Sequence, residues 1–360
     1  MPLGDWLQKI AQNRKGRLGP VRASLEFTER CNYRCVHCYI NQPAGDTALR
    51  QQELTLAEWQ GILDQMERAG VLWLLVTGGE PLLRPDFPEF YLYAIHKGLH
   101  VTLFTNGSLI TPDIADLLAA NPPWEMEITL YGATAETYEA VTGIPGSYER
   151  CIRGIELLLE RKIALNLKTM ALTLSVHEIP AMKAMTEHWG VRFRWDPNVH
   201  ARLNHHDGPL KYRLSPEAIA ELERTDAKRM QQWQEYCDKP WGKPDPEALF
   251  TCGAASRTFH VDPYGGLYPC MMVRWLRHDL RESTLEEALT GFLPEVRRLQ
   301  LDHNRTCREC DVRIPCAICP GWAYVHSGDP EAPDPFRCAT ARLRQQTLES
   351  VFDGISPSLS

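Results

Sequence analysis

Between residues 21 and 196 short apolar runs recur, and each is followed by a stretch whose apolar positions repeat at helical spacing. The runs at 22–28, 71–77, 99–104, 125–130, 163–170 and 191–195 are rich in β-branched and large apolar residues and predict strands. The stretches near 55–69, 86–97, 112–120, 134–141, 147–161 and 176–189 predict helices. Thr55 with Glu58 forms a capping-box pattern, and Thr111 followed by Pro112 suits a cap and first turn. Six strand–helix units in succession imply an α/β fold with a parallel sheet and right-handed crossovers. Such barrels carry their functional groups at the carboxyl ends of the strands.

Outside this region the pattern changes. Trp6, Leu7 and Ile10 predict a short surface helix within 1–20, beside a solvated basic stretch, Arg14 to Arg17. Residues 197–214 are polar and irregular. Their histidines, His200, His205 and His206, invite a metal reading, but a loop beside a barrel mouth that lines the substrate site is preferred. A long helix is expected at 215–236, with Ser215 and Pro216 at its start, then a proline-broken connection from Lys239 to Pro246. Asp262-Pro263-Tyr264-Gly265-Gly266 is a turn signal between strands at 258–261 and 267–268, and a helical stretch follows near 284–300.

Composition narrows the possibilities. The chain has 360 residues, 44% apolar, with a net charge of −7. That is enough for one barrel-sized domain and a smaller module, and it argues against non-specific nucleic-acid binding. No apolar run approaches membrane-spanning length, and Met1 to Trp6 lacks a signal-peptide pattern, so a cytoplasmic protein is expected. Twelve cysteines in a reducing compartment then read as metal ligands rather than disulfides.

Three of them, Cys31, Cys35 and Cys38, follow the first strand at spacing C-x3-C-x2-C, and the next cysteine is Cys151. Three thiolates suit a four-iron cluster with one iron left open. A zinc knuckle completed by His37 is the competing reading, weakened because His37 adjoins Cys38. Seven more cysteines lie between 252 and 338, again a metal signal. Zinc is a fair alternative for Cys307 and Cys310 taken alone. Cys151 and Cys237 stand apart, and each reads first as a small buried hydrophobe.

The cysteine loop, Thr77-Gly78-Gly79-Glu80-Pro81 after the second strand and Thr105-Asn106-Gly107 after the third together resemble the radical SAM superfamily. The resemblance implies a partial (β/α)6 TIM-like barrel. It implies that Cys31, Cys35 and Cys38 hold a [4Fe–4S] cluster whose open iron binds S-adenosylmethionine (SAM), and that reductive cleavage yields a 5′-deoxyadenosyl radical. Gly78, Gly79, Glu80 and Pro81 would receive the methionine ammonium, the glycines by close backbone approach and Glu80 by its charge. Asn106, Thr129 and Lys168 would face the cofactor, though Lys168 also reads as a surface strand residue. His37 stands where relatives place an aromatic residue near the adenine.

The later cysteines resemble the SPASM extension of the same superfamily, with one or two auxiliary [4Fe–4S] clusters. By that resemblance Cys307, Cys310, Cys316 and Cys338 ligate one cluster, and Cys252, Cys270 and Cys319 the other. Cys316 and Cys319 are separated by x2 where the family has x3. The second set also lacks a fourth cysteine; Cys237, an open iron or a non-cysteine ligand would complete it. The division expected is 1–20 extension, 21–196 barrel, 197–251 linker and bridging helix, 252–345 SPASM domain and 346–360 tail.

The stretch from Tyr131 to Ser147 also looks like SPASM enzymes that modify ribosomally made peptides. The function expected is hydrogen abstraction from a precursor peptide to install a crosslink or oxidation. A separate leader-binding protein and a flavodoxin- or ferredoxin-type reductant are the possible partners. Asp196, at the end of the sixth strand, is the candidate acid or base, against a strand-end cap. A sulfatase-maturing or cofactor-biosynthesis enzyme is the alternative. The sulfatase version is disfavoured because Met271 and Met272, not an acid, follow Cys270. A non-catalytic iron–sulfur electron carrier is the remote alternative.

Overall fold

The computed structural model describes residues 21–40, 42–239, 245–317 and 319–352. The expected helix within 1–20 lies outside them.

The strands run β1 (Arg22–Thr28), β2 (Arg30–Cys31), β3 (Gln42–Pro43), β4 (Trp73–Gly78), β5 (His100–Thr105) and β6 (Glu125–Thr129). They continue with β7 (Asn166–Met170), β8 (Arg192–Asp196), β9 (Thr258–Val261), β10 (Gly266–Tyr268) and β11 (His278–Asp279). β1, β4, β5, β6, β7 and β8 lie side by side and parallel, in that order. The six strands are those the apolar runs predict, displaced by three residues at most.

Helices cover the sheet because one face of each is apolar. The helix Leu56–Ala69 buries Trp59, Ile62, Leu63 and Met66, and its capping box at Thr55 and Glu58 is formed. Leu25 and Phe27 from β1, Val76 from β4 and Leu103 from β5 are fully buried in one core. At about 25 cal/mol per Å² of apolar surface, this burial is the main force holding strands and helices together.

Two expectations need correction. The helix expected at 215–236 is two, Pro216–Arg224 and Ala227–Asp238. Asp226 accepts from Arg229 N and from Trp195 Nε1, which restarts the chain as a new N-cap. The helical stretch near 284–300 forms as one run, Leu285–Glu287, a π-helical Ala288–Phe292 and Leu293–Arg297 in succession. The expected tail is entered by a helix, Pro335–Phe352.

The hairpin forms as expected, with Asp262 Oδ1 accepting from Tyr264 N and Gly266 N. The sequence did not reveal its neighbour. β9 pairs in parallel with β1, from Arg22 opposite Thr258 to Leu25 opposite Val261. One nine-stranded sheet therefore runs from the barrel into the cysteine-rich part. No helix among the described residues is long and apolar enough to cross a membrane.

Candidate metal centre and cofactor cavity

The first cysteine loop is anchored from both sides. At its base β2 and β3 pair, Arg30 opposite Gln42 and Cys31 opposite Pro43. Arg30 donates Nε and Nη2 to the buried Glu53 carboxylate, at 2.9 and 3.0 Å. Arg34 N donates to Thr142 O at 2.9 Å and Val36 N to Val141 O at 3.0 Å, seating the loop on the helix Ala135–Thr142. Asn106 Nδ2 donates to Asn32 Oδ1 at 2.9 Å, so the β5 loop holds it as well.

Gly78 and Gly79 have a further reason for being glycine besides the one expected. Gly79 N donates to Thr28 O at 2.7 Å and Glu80 N to Arg30 O at 2.9 Å. A Cβ on Gly78 would lie 2.1 Å from Thr28 O, and one on Gly79 2.2 Å from Arg30 O. Their missing side chains let the chain pass against its own backbone, while both still face the cavity.

Glu80 is held between the ends of β4 and β5. It is fully buried, accepting from Thr105 Oγ1 at 2.7 Å, Asn106 N at 2.8 Å and Leu82 N at 3.1 Å. Burial raises its carboxyl to about 7 against those donors. Its oxygens are spent joining the ends of β4 and β5. Neither Glu80 nor Pro81 lines the cavity.

That cavity, about 340 Å³, opens at the carboxyl ends of β4 to β8. Cys31, Cys35, Cys38, His37, Gly78, Gly79, Asn106, Thr129, Lys168 and Asp196 all border it. Burial pushes the Cys31 thiol up to about 12, with the Glu80 and Cys38 charges adding to it. Cys35 is also raised, by burial and then by Cys38 and Cys31. His37 is driven down to about 4 by burial, so its imidazole is neutral, and its ring lies 5.1 Å from Tyr131. Its Nδ1 is buried without a partner.

The far wall is ionic. Lys168 Nζ lies 3.1 Å from Glu127 Oε2 and 3.1 Å from the Phe104 ring centre. Arg194 grips the same carboxylate with Nε at 2.9 Å and Nη2 at 2.6 Å. Burial lowers Lys168 to about 8 against the pull of Glu127. Glu127 and Arg194 were missed in the sequence. Their signal was an acid and two bases on three successive strands, legible only once the register is known. Asp196 accepts from Asn198 N at 2.8 Å and Nδ2 at 2.7 Å. His200, from the linker, borders the cavity with Met271 and Met272.

Among the later thiols, Cys307, Cys316, Cys319 and Cys338 border one cavity. Burial and then Cys319 and Cys252 bear on Cys270, which is pushed up to about 12. Cys307 is raised by burial and then by Cys338, Cys316 and Cys310. Cys237 feels Asp238 and Arg344 instead, and Cys151 is fully buried beside Tyr138. Among the described residues no three Cys, His, Asp or Glu side chains converge as a single ion requires. An all-thiol donor set spread round a wider space suits an iron–sulfur cluster, whose iron charge would offset the mutual repulsion of the thiolates.

The profile of the radical SAM superfamily matches residues 25–183. The chain is 30% identical to mycofactocin maturase MftC of Mycobacterium ulcerans over 269 residues, 72% of this chain and 71% of that protein. It is 28% identical to the AdoMet-dependent heme synthase of Methanosarcina barkeri over 339 residues, 88% of this chain and 96% of that one. Streptococcus suis SuiB, solved bound to its precursor peptide SuiA, has the same fold at a TM-score of 0.69 and 16% identity, covering 92% of this chain and 79% of SuiB. With a parallel barrel whose strand ends face a three-cysteine loop, and with relatives of this kind, the chain belongs to the SPASM branch of the radical SAM superfamily and is an enzyme that uses [4Fe–4S] clusters and SAM.

Proposed function

We propose that the chain is a peptide maturase, in which Cys31, Cys35 and Cys38 hold the SAM-binding cluster. The observation that carries this is the single cavity bordered by those thiols and by five strand ends. The cluster with SAM would supply a 5′-deoxyadenosyl radical. Gly78, Gly79, Asn106, Thr129 and Lys168 would orient the cofactor, with His37 against its adenine. Asp196 would hold or take a proton beside the substrate. Cys307, Cys310, Cys316 and Cys338 would ligate one auxiliary cluster, and Cys252, Cys270 and Cys319 another. On this reading 21–196 is the catalytic barrel, 197–251 a bridge and 252–345 the auxiliary-cluster part. The enzyme would work in the cytoplasm with a flavodoxin- or ferredoxin-type reductant, its precursor peptide delivered by a leader-binding protein.

The maturase relative and the peptide-bound neighbour support a peptide substrate. The heme synthase relative favours a second reading, a tetrapyrrole substrate, because the likeness to it extends over 96% of its length. The test is anaerobic reconstitution with SAM and reductant, adding either a deuterated precursor peptide or a deuterated iron porphyrin bearing propionates. Deuterium in 5′-deoxyadenosine from the peptide alone supports the maturase; deuterium from the porphyrin alone overturns it.

A further inference from the structure

Glu26 is a fully buried acid on β1 that no step above uses. Its Oε1 accepts from Tyr39 Oη at 2.9 Å, and Tyr39 directly follows Cys38 and borders the cofactor cavity. Its Oε2 accepts from Arg274 Nη2 at 2.7 Å. Arg274 also donates Nε to Met271 O at 2.9 Å, which fixes the turn after Cys270. Met271 and Met272 of that turn border the same cavity.

The remaining groups around Glu26 complete the set. His260 Nε2 on β9 lies 3.2 Å from Arg274 Nη2 and 3.5 Å from Glu26 Oε2, and its Nδ1 is 2.9 Å from Ser24 Oγ. Burial lowers His260, so it is neutral and Nε2 accepts from Arg274. Burial works to raise Glu26, but the Arg274 guanidinium outweighs it and holds the acid below the usual carboxylate range. One carboxylate thus joins the loop of the first three cysteines to the turn of Cys270.

We propose that Glu26 is a positioning residue that sets Tyr39 and the Met271–Met272 turn as one wall, so that SAM affinity depends on the cysteine-rich part through Arg274. The proposal rests on the reading that this cavity binds SAM.

Dialysis equilibrium with labelled SAM, on reconstituted oxidised protein that does not turn over, tests it. Tyr39→Phe removes one hydroxyl and keeps the ring; Arg274→Lys keeps the charge and loses the fork. Each is expected to raise the Kd roughly three- to tenfold, the loss of a single hydrogen bond, with iron content unchanged. The double variant is expected to match the weaker-binding single variant, because both act through one carboxylate. Glu26→Gln would leave a buried guanidinium without its anion and is expected to lose soluble protein, so Tyr39→Phe carries the test. Unchanged affinity in Tyr39→Phe, or effects that multiply in the double variant, overturn the tie. No SAM binding by the iron-loaded parent overturns the reading of the cavity instead.

Discussion

Replacing Gly79 with alanine tests how the first cysteine loop is held. The added Cβ would lie 2.2 Å from Arg30 O, 2.5 Å from Arg30 C and 2.6 Å from Glu29 O. All three are backbone atoms, so no side chain can swing away. The chains must part by roughly 1 Å before such a contact is tolerable. Parting breaks the bonds from Gly79 N to Thr28 O and from Glu80 N to Arg30 O, now 2.7 and 2.9 Å long. Stranding two buried backbone groups costs about 2–6 kcal/mol, against a total stability of about 5–15 kcal/mol. The displaced residue, Arg30, directly precedes Cys31, so the loss should appear first at that site. Iron per chain is expected to fall from about twelve to about eight, with the auxiliary clusters kept. Gly61→Ala, where a Cβ meets nothing within 4 Å, is the control and should gain about 0.5–1 kcal/mol in its helix. A Gly79→Ala protein with full iron and the parent's unfolding midpoint would refute the argument.

Glu53→Ala leaves the Arg30 and Arg84 guanidiniums buried beside a missing anion. It should lose about 3–5 kcal/mol in urea denaturation. Glu80 has its folded carboxyl raised from 4.5 to about 7, so its stabilising contribution is present below pH 4.5 and lost as pH rises through 7. Cluster-free parent protein should therefore weaken by about 3 kcal/mol between pH 4.5 and 7 relative to Glu80→Gln; parallel stability curves would count against it. Lys168, lowered to about 8, should make SAM binding weaken as pH rises through 8. Lys168→Arg should bind without that dependence, as read by dialysis at pH 7 and pH 9.

The barrel was legible because its strands are local apolar runs separated by helices of regular spacing, and the cysteine spacing marked the site before any geometry was known. What stayed hidden depended on direction or distance. Glu80 stands in a motif expected to meet the cofactor, yet burial and three donors turn it inward, a choice that charge alone does not reveal. The break at Asp226 is an N-cap to Arg229 N whose other oxygen is held by Trp195, a tertiary partner. Glu127, Lys168 and Arg194 meet only through the register of β6, β7 and β8.

The pairing of β9 with β1 bears on how the protein is made. Until Thr258 leaves the ribosome, one edge of β1 has no strand beside it. That strand carries Leu25 and Phe27 and is buried from Leu25 to Thr28 in the finished fold, so its bare edge is a template for pairing with another chain. A chain ending before the hairpin would keep this edge for good and should aggregate, however complete its barrel. In the full chain the hairpin closes the edge late, after long-range contacts that form slowly. Nascent protein is thus most exposed to misassembly in the interval when its cysteine loop already exists and its last strand pair does not.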